Sequence, residues 1–214
     1  MNRRDELAEN LASVQARIKS PDVTLIVVTK TYPASDVQIL SELGVKDFAE
    51  NRNEEGLEKS AVVQGRWHYQ GEIQSRKLRD IASWADVVHS LDTASHITKL
   101  ASVSTEPLDI FLQLSLDGDP SRGGVVEAQL GALADTALQS PNLRLAGLMC
   151  VPPVSADPRE AFTKIAAIHQ RFITSYPGAI SLSAGMSGDF EIAIDCGATH
   201  IRVGSSILGP RTTR

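Results

Sequence analysis

The sequence predicts one α/β domain, a (β/α)8 barrel of the TIM type with an extra N-terminal helix. Three observations carry that expectation. Eight short apolar runs recur along the chain, nearly every one is followed by a helical pattern, and no Pro/Gly/Ser-rich linker divides the 214 residues. Strands that alternate with helices build parallel sheets, because a crossover must return the chain to the same end of the sheet. An open doubly wound sheet uses the same alternation, but strict repetition over residues 1–214 favours closure into a barrel.

The elements follow in order. Leu7, Leu11, Val14 and Ile18 recur at helical spacing and Pro21 follows, so the first segment reads as a helix. The run Thr24-Leu25-Ile26-Val27-Val28-Thr29 is continuous and rich in β-branched residues, as a strand covered on both faces requires. Ser35-Asp36-Val37-Gln38 has the capping-box form and opens a helix through about Leu43. Further strands are expected near Asp47–Ala49, Trp67–Gln70, Val87–Leu91, Leu108–Leu116, Leu143–Met149, Ile180–Ser183 and His200–Val203. Helices are expected near Glu54–Val63, Ile73–Trp84, Ala94–Ala101, Val125–Gln139, Arg159–Tyr176 and Phe190–Cys196. Asp157-Pro158 supplies a helix start, an N-cap acceptor followed by proline at the first helical position.

Composition removes several function classes. With 42% hydrophobic and 22% charged residues the chain is that of a globular protein, and a formal net charge of −5 gives no reason to expect a broad nucleic-acid-binding surface. No stretch reaches the ~18 continuous apolar residues of a membrane span. The charged segment from Met1 to Glu9 lacks the apolar core of a signal peptide, so a cytoplasmic protein is expected. The cysteines, Cys150 and Cys196, lie outside any CxxC pattern and read as packed thiols. The five histidines show no i, i+4 pair and no HExxH, so no metal site is expected.

In a parallel barrel the functional residues collect at the C-terminal ends of the strands. The first strand ends in Thr29-Lys30. A lysine there either extends its charge to solvent or, partly desolvated, presents a neutral amine able to attack a carbonyl. The last strand runs straight into Gly204-Ser205-Ser206, and Ser183-Ala184-Gly185-Met186-Ser187-Gly188 repeats the form. Such turns aim backbone N–H groups and hydroxyls at one spot and suit a phosphate; the plainer reading is two βα turns with Ser187 as an N-cap. Arg122-Gly123-Gly124 is either a rim loop that reads anions or an exposed turn. Glu54, Glu55 and Glu58, with Arg52 and Lys59, read as a solvated helix face.

Six ordered blocks then carry a resemblance: Val28-Thr29-Lys30-Thr31; Glu50-Asn51; Trp67-His68 with Gly71 and Gln74; Gly147-Leu148-Met149; Leu182-Ser183 with Gly185-Met186-Ser187; and Arg202-Val203-Gly204-Ser205 with Leu208-Gly209. Over residues 24–212 the chain resembles the pyridoxal-phosphate homeostasis proteins, relatives of the alanine racemase N-terminal barrel. The resemblance implies a monomeric barrel carrying pyridoxal 5′-phosphate (PLP) as a Schiff base on Lys30. It implies that Ser183, Gly204 and Ser205 hold the phosphate, that Met186 and Ser187 line that end, and that Arg202 faces the pyridine nitrogen. Asn51 and His68 match pocket-side positions. The sequence departs from the family pattern at Ala49, Arg52-Asn53, Gln70, Arg76 and Ala184.

The implied anchors make chemical sense together: an amine for an aldehyde, donors for a phosphate, and a partner for a ring nitrogen. Arginine only donates hydrogen bonds, so at that nitrogen it favours an unprotonated ring, a poor electron sink. The expected function is therefore storage or delivery of PLP, with apo PLP-dependent enzymes as partners. Two alternatives stay open. One is a small PLP-dependent amino-acid racemase, for which Tyr32 or Tyr69 would have to supply a second acid/base. The other is a barrel that binds a phosphorylated metabolite non-covalently, with Lys30 as a counter-ion.

Overall fold

The computed structural model describes residues 2–210; the ends of the expected domain, residues 1 and 211–214, lie outside them. The chain runs α1 (Arg3–Arg17), β1 (Thr24–Val28), α2 (Ala34–Glu42), β2 (Asp47–Glu50), α3 (Asn53–Ser60) and β3 (Arg66–Tyr69). It continues through α4 (Leu78–Ala82), β4 (Val87–Leu91), α5 (Ala94–Val103), β5 (Leu108–Leu114), α6 (Glu127–Leu138) and β6 (Leu143–Cys150). The last elements are α7 (Pro158–Ser175), β7 (Ser181–Met186), α8 (Phe190–Asp195), β8 (His200–Val203) and α9 (Ser205–Leu208). All eight strands are parallel and close into a barrel in chain order. Closure pairs β1 with β8 in the register Ile26 to Arg202 and Val27 to Val203, which brings the expected lysine and arginine ends side by side.

The barrel divides its apolar residues into two zones. Most lie between sheet and helices, where buried Leu, Ile, Val and Phe from alternate strand positions meet the helix stripes. The barrel interior holds two smaller clusters, Ile26 with Val28 and Ala49, and Val87 with Phe111 and Met149. The remaining interior space is polar, filled by His68, His89, Ser183 and Arg202. That polarity departs from the branched aliphatic layers usual inside such barrels.

Helix α9, after β8, is only one turn long, and α1 completes the helical ring in its place. Leu7, Leu11 and Val14 bury one face of α1. Its two ends are tied to the neighbouring outer helices: Arg3 donates to Asp36 of α2 at 2.6 Å and Arg17 to Glu191 of α8 at 2.6 Å. Asn10 and Arg3 also donate to the carbonyls of Ile207 and Leu208 in α9. The extra helix is thus part of the barrel wall.

Several expected boundaries shift for local reasons. Helix α2 starts at Ala34 with Pro33 at the N-cap and no side-chain cap, so Ser35-Asp36-Val37-Gln38 is not a capping box; Asp36 accepts from Arg3 instead. The helix expected from Ile73 begins as a 3-10 turn, Ser75–Lys77, because Gln74 remains extended. Val125 pairs with Leu114 as a short bridge, which delays α6 to Glu127. The Asp157-Pro158 start is as expected, with Asp157 accepting from the Glu160 N–H at 3.0 Å. Among the described residues no helix is long and apolar enough to cross a membrane.

Candidate functional site

The lysine end is built around a buried ion pair. Lys59 of α3 is 4% exposed and Glu50 of β2 fully buried, with Nζ 2.6 Å from Oε1. Lys59 also donates to the Thr29 carbonyl at 2.9 Å and to Glu55 Oε2 at 3.2 Å, and the Thr29 hydroxyl donates to Glu50 at 2.5 Å. Burial pushes the Glu50 carboxyl upward, against the pull of Lys59 and the Thr29 hydroxyl. The same Glu55 oxygen accepts from the Thr31 N–H at 2.7 Å. Thr31 has φ +72°, the one non-glycine residue with positive φ among those described. Lys59 and Glu55, themselves bonded, therefore clamp the backbone on both sides of Lys30, at Thr29 and Thr31, and hold a conformation that β-branched residues disfavour. Arg52, Glu54 and Glu58 are exposed, as expected of a solvated helix face, but Lys59 is not: it points inward to two oxygens at the C-terminal strand ends, the Thr29 carbonyl and the Glu50 carboxylate, with Glu55 of its own helix half-buried beside it.

The floor is Arg202. Its guanidinium is buried, donating from Nη1 to the Ser183 hydroxyl at 2.7 Å and from Nη2 to the Cys150 carbonyl at 3.1 Å. Burial lowers its pKa to about 10, which leaves it charged at neutral pH. The Cys150 thiol is buried and pushed up to about 12, so it is inert packing.

The opposite end is a cradle of small groups. Ser187 Oγ lies 3.3 Å from the N–H groups of both Gly204 and Ser206, which point at it together. Helix α8 starts later, at Phe190, and Asp189 accepts from the Met186 N–H at 2.6 Å, so Ser187 is not a helix cap. Gly204 allows this end to close on β1, since a Cβ there would stand 3.1 Å from the Val28 carbonyl oxygen. Helix α9 has four residues, so the donors are local amides and hydroxyls, with little macrodipole behind them.

These three parts line one cavity of about 410 Å³ at the C-terminal mouth of the barrel, a size within the ~300–1,000 Å³ of small-molecule pockets. Of the residues expected from sequence, Lys30, Asn51, Met186, Ser187, Arg202, Gly204 and Ser205 all reach it. Ser183 and His68 lie below the lining, Ser183 bound by Arg202 and His68 paired with His89 at 2.8 Å. Arg122 is also outside the lining, held by Asp117 at 3.0 Å and the Val151 carbonyl at 2.6 Å. Sequence reasoning left Gln70 out of the lining and gave Tyr32 no more than a possible approach. Tyr32 donates to the Gly209 carbonyl at 2.6 Å, and Gln70 donates to Asn51 at 3.1 Å while its Oε1 is buried without a partner. The alternation of β3, which places His68 and Gln70 on one face, was the signal available for Gln70. Among the described residues the charged groups lining the cavity are Lys30 and Arg202, both cations.

Comparison with known proteins agrees with this architecture. The family described as alanine racemase, N-terminal domain, matches residues 3–212. The pyridoxal phosphate homeostasis protein of Mycobacterium leprae is 37% identical, over all of this chain and 96% of its own length. That of Corynebacterium glutamicum is 40% identical over 88% of this chain and 90% of its own. The solved structure of PipY from Synechococcus elongatus with PLP bound superposes with a TM-score of 0.87, at 29% identity, covering 95% of this chain and all of that one. The chain belongs to the alanine racemase N-terminal domain family and, within it, to the pyridoxal phosphate homeostasis proteins.

Proposed function

We infer that the protein binds pyridoxal 5′-phosphate in this cavity, holds it as a Schiff base on Lys30, and serves PLP homeostasis as a carrier. The observation that carries this reading is that two cations, Lys30 and Arg202, converge on one cavity with the Gly204–Ser205 turn, in a chain of net charge −5. A cavity of that sign selects an anion. The donor set also fits the group: an amine beside a clamped strand end, a fixed guanidinium on the floor, and paired N–H groups with hydroxyls at the far end.

When bound, the cofactor supplies an aldehyde that a neutral amine captures reversibly. The chain's own residues do the rest. Ser187, Ser205 and the N–H groups of Gly204 and Ser206 would take the phosphate. Arg202 would stand at the ring-nitrogen side as a donor that keeps its proton. Val28, Met149 and Val151 supply apolar walls that limit water. Ser183, beneath the lining, would act on the ligand only through Arg202.

The carrier reading is better supported than racemisation. Tyr69 and Tyr176 bond to the Glu72 and Gly131 carbonyls away from the cavity, and Tyr32, which does line it, has its hydroxyl on the Gly209 carbonyl. On this reading the protein acts as a monomer that hands PLP to apo-enzymes in the cytoplasm. Incubation with PLP, borohydride reduction and peptide mass spectrometry should place a pyridoxyl group on Lys30. An unlabelled Lys30 in protein that binds PLP would remove the covalent part of the reading. A protein that stays colourless with PLP yet binds sugar phosphates would replace it with the non-covalent barrel.

A further inference from the structure

Below the cavity, five side chains from five strands form one unbroken line of hydrogen bonds. It runs from Arg202 Nη1 to Ser183 Oγ at 2.7 Å, from Ser183 Oγ to His89 Nδ1 at 3.0 Å, and from His89 Nε2 to His68 Nδ1 at 2.8 Å. It ends with His68 Nε2 at 3.1 Å from Asp47 Oδ1, on the first residue of β2. Asp47 is half-buried at the N-terminal end of the barrel, opposite the cavity. His89 is also held flat, its ring stacked on Phe111 at 4.4 Å between centroids.

The two ends force the direction of every bond between them. A guanidinium only donates and a carboxylate only accepts. His68 Nε2 must therefore carry the proton that meets Asp47. Burial disfavours a second proton on His68, so its Nδ1 accepts, and His89 must donate from Nε2. Burial likewise keeps His89 neutral, so its Nδ1 accepts from the Ser183 hydroxyl. Ser183 then offers its oxygen to Arg202. One arrangement satisfies all five groups, with every donor pointing away from the cavity.

We propose that Asp47, His68 and His89 are positioning residues for Arg202: their chain, completed by Ser183, transmits the acceptor strength of a carboxylate to a guanidinium that has no direct carboxylate partner among the described residues, and fixes it as a charged donor on the cavity floor. Bonds polarised in one direction strengthen one another, so the Ser183 oxygen is a better acceptor than an isolated hydroxyl. A buried guanidinium bound only to a hydroxyl and a carbonyl would otherwise be costly to keep charged. The effect on ligand binding rests on the reading that the cavity holds PLP; the direction of the chain does not.

The test uses protein labelled with 15N-histidine and free of ligand. At neutral pH the imidazole nitrogen shifts should show His68 and His89 both neutral with the proton on Nε2. Asp47→Asn should move at least one of them to the Nδ1-protonated form and weaken PLP binding on the order of fivefold, the size expected from losing about one net hydrogen bond. Ser183→Ala should weaken PLP to a similar degree while leaving the His68 tautomer unchanged. It decides the matter even if Asp47→Asn folds poorly. An Nδ1 proton on either histidine of the wild type overturns the proposal, as do two variants that bind PLP like the wild type. A wild type with these tautomers that takes up no PLP would overturn the cofactor reading and leave the chain standing.

Discussion

Lys59 Nζ lies 2.6 Å from Glu50 Oε1, both side chains are buried, and the same ammonium donates to the carbonyl of Thr29, the residue before Lys30. The pair ties the site lysine's backbone to two other elements, α3 and β2. Removing one partner strands a charge in a low-dielectric setting, which typically costs about 3–5 kcal/mol. Lys59→Met should therefore destabilise the fold by about that amount in urea titrations, whereas Lys59→Met combined with Glu50→Leu should cost less than the two single changes summed. Additive single effects would show that the pair is not coupled.

Arg202→Met is expected to fold, because it removes a buried charge while keeping much of the side-chain volume. Its stability should fall by no more than about 2 kcal/mol, the cost of leaving the Ser183 and Cys150 acceptors unpaired. PLP binding should weaken about tenfold or more, a loss of ~1.4 kcal/mol or greater, with a shifted absorption band. An unchanged band with retained affinity would place Arg202 away from the ligand.

Acid sensitivity follows from the interior histidines. Burial depresses His200 to about 4, whereas an unfolded histidine titrates near 6.5. Between those values the unfolded state binds the extra proton, so stability rises with pH through this window and the His200 contribution is complete above about 6.5. The contribution is at most about 3 kcal/mol, lost as pH falls toward 4. His68 and His89, also lowered by burial, act in the same direction. Denaturation midpoints should drop between pH 7 and 4.5, and His200→Asn should flatten that slope; an equal slope would exonerate His200.

Gly185 sits at φ +93° near the end of β7, where the register with β8 shifts just before Ser187, and a Cβ there would stand 2.6 Å from the Ala193 Cβ and 2.9 Å from the Phe190 Cα. Gly185→Ala should cost about 1–3 kcal/mol through strain and overpacking. Because this strand end positions Ser187, PLP affinity should fall with it. Gly178→Ala serves as the control: its Cβ would meet nothing within 4 Å, so stability and affinity should stay near wild type.

The eight strands, the position of Lys30 and the two glycine-serine turns were legible in the sequence. Each rests on neighbours in the chain: apolar runs of strand length, helical spacing, and turn residues with small side chains. What the sequence did not disclose is which distant side chains meet. Lys59 read as solvated because its helix pattern is polar, and only the barrel rim shows the two strand-end oxygens, of Thr29 and Glu50, that draw it inward. Asp47, His68, His89, Ser183 and Arg202 are separated by 19 to 94 residues along successive links of their chain, too far for any local pattern to join them. Local backbone preferences are set by adjacent residues, whereas a buried polar partner is chosen by which strands closure brings together. The sequence alone therefore determined the barrel and the residues at its mouth; tertiary closure decided what stands beneath Arg202 and behind Lys30.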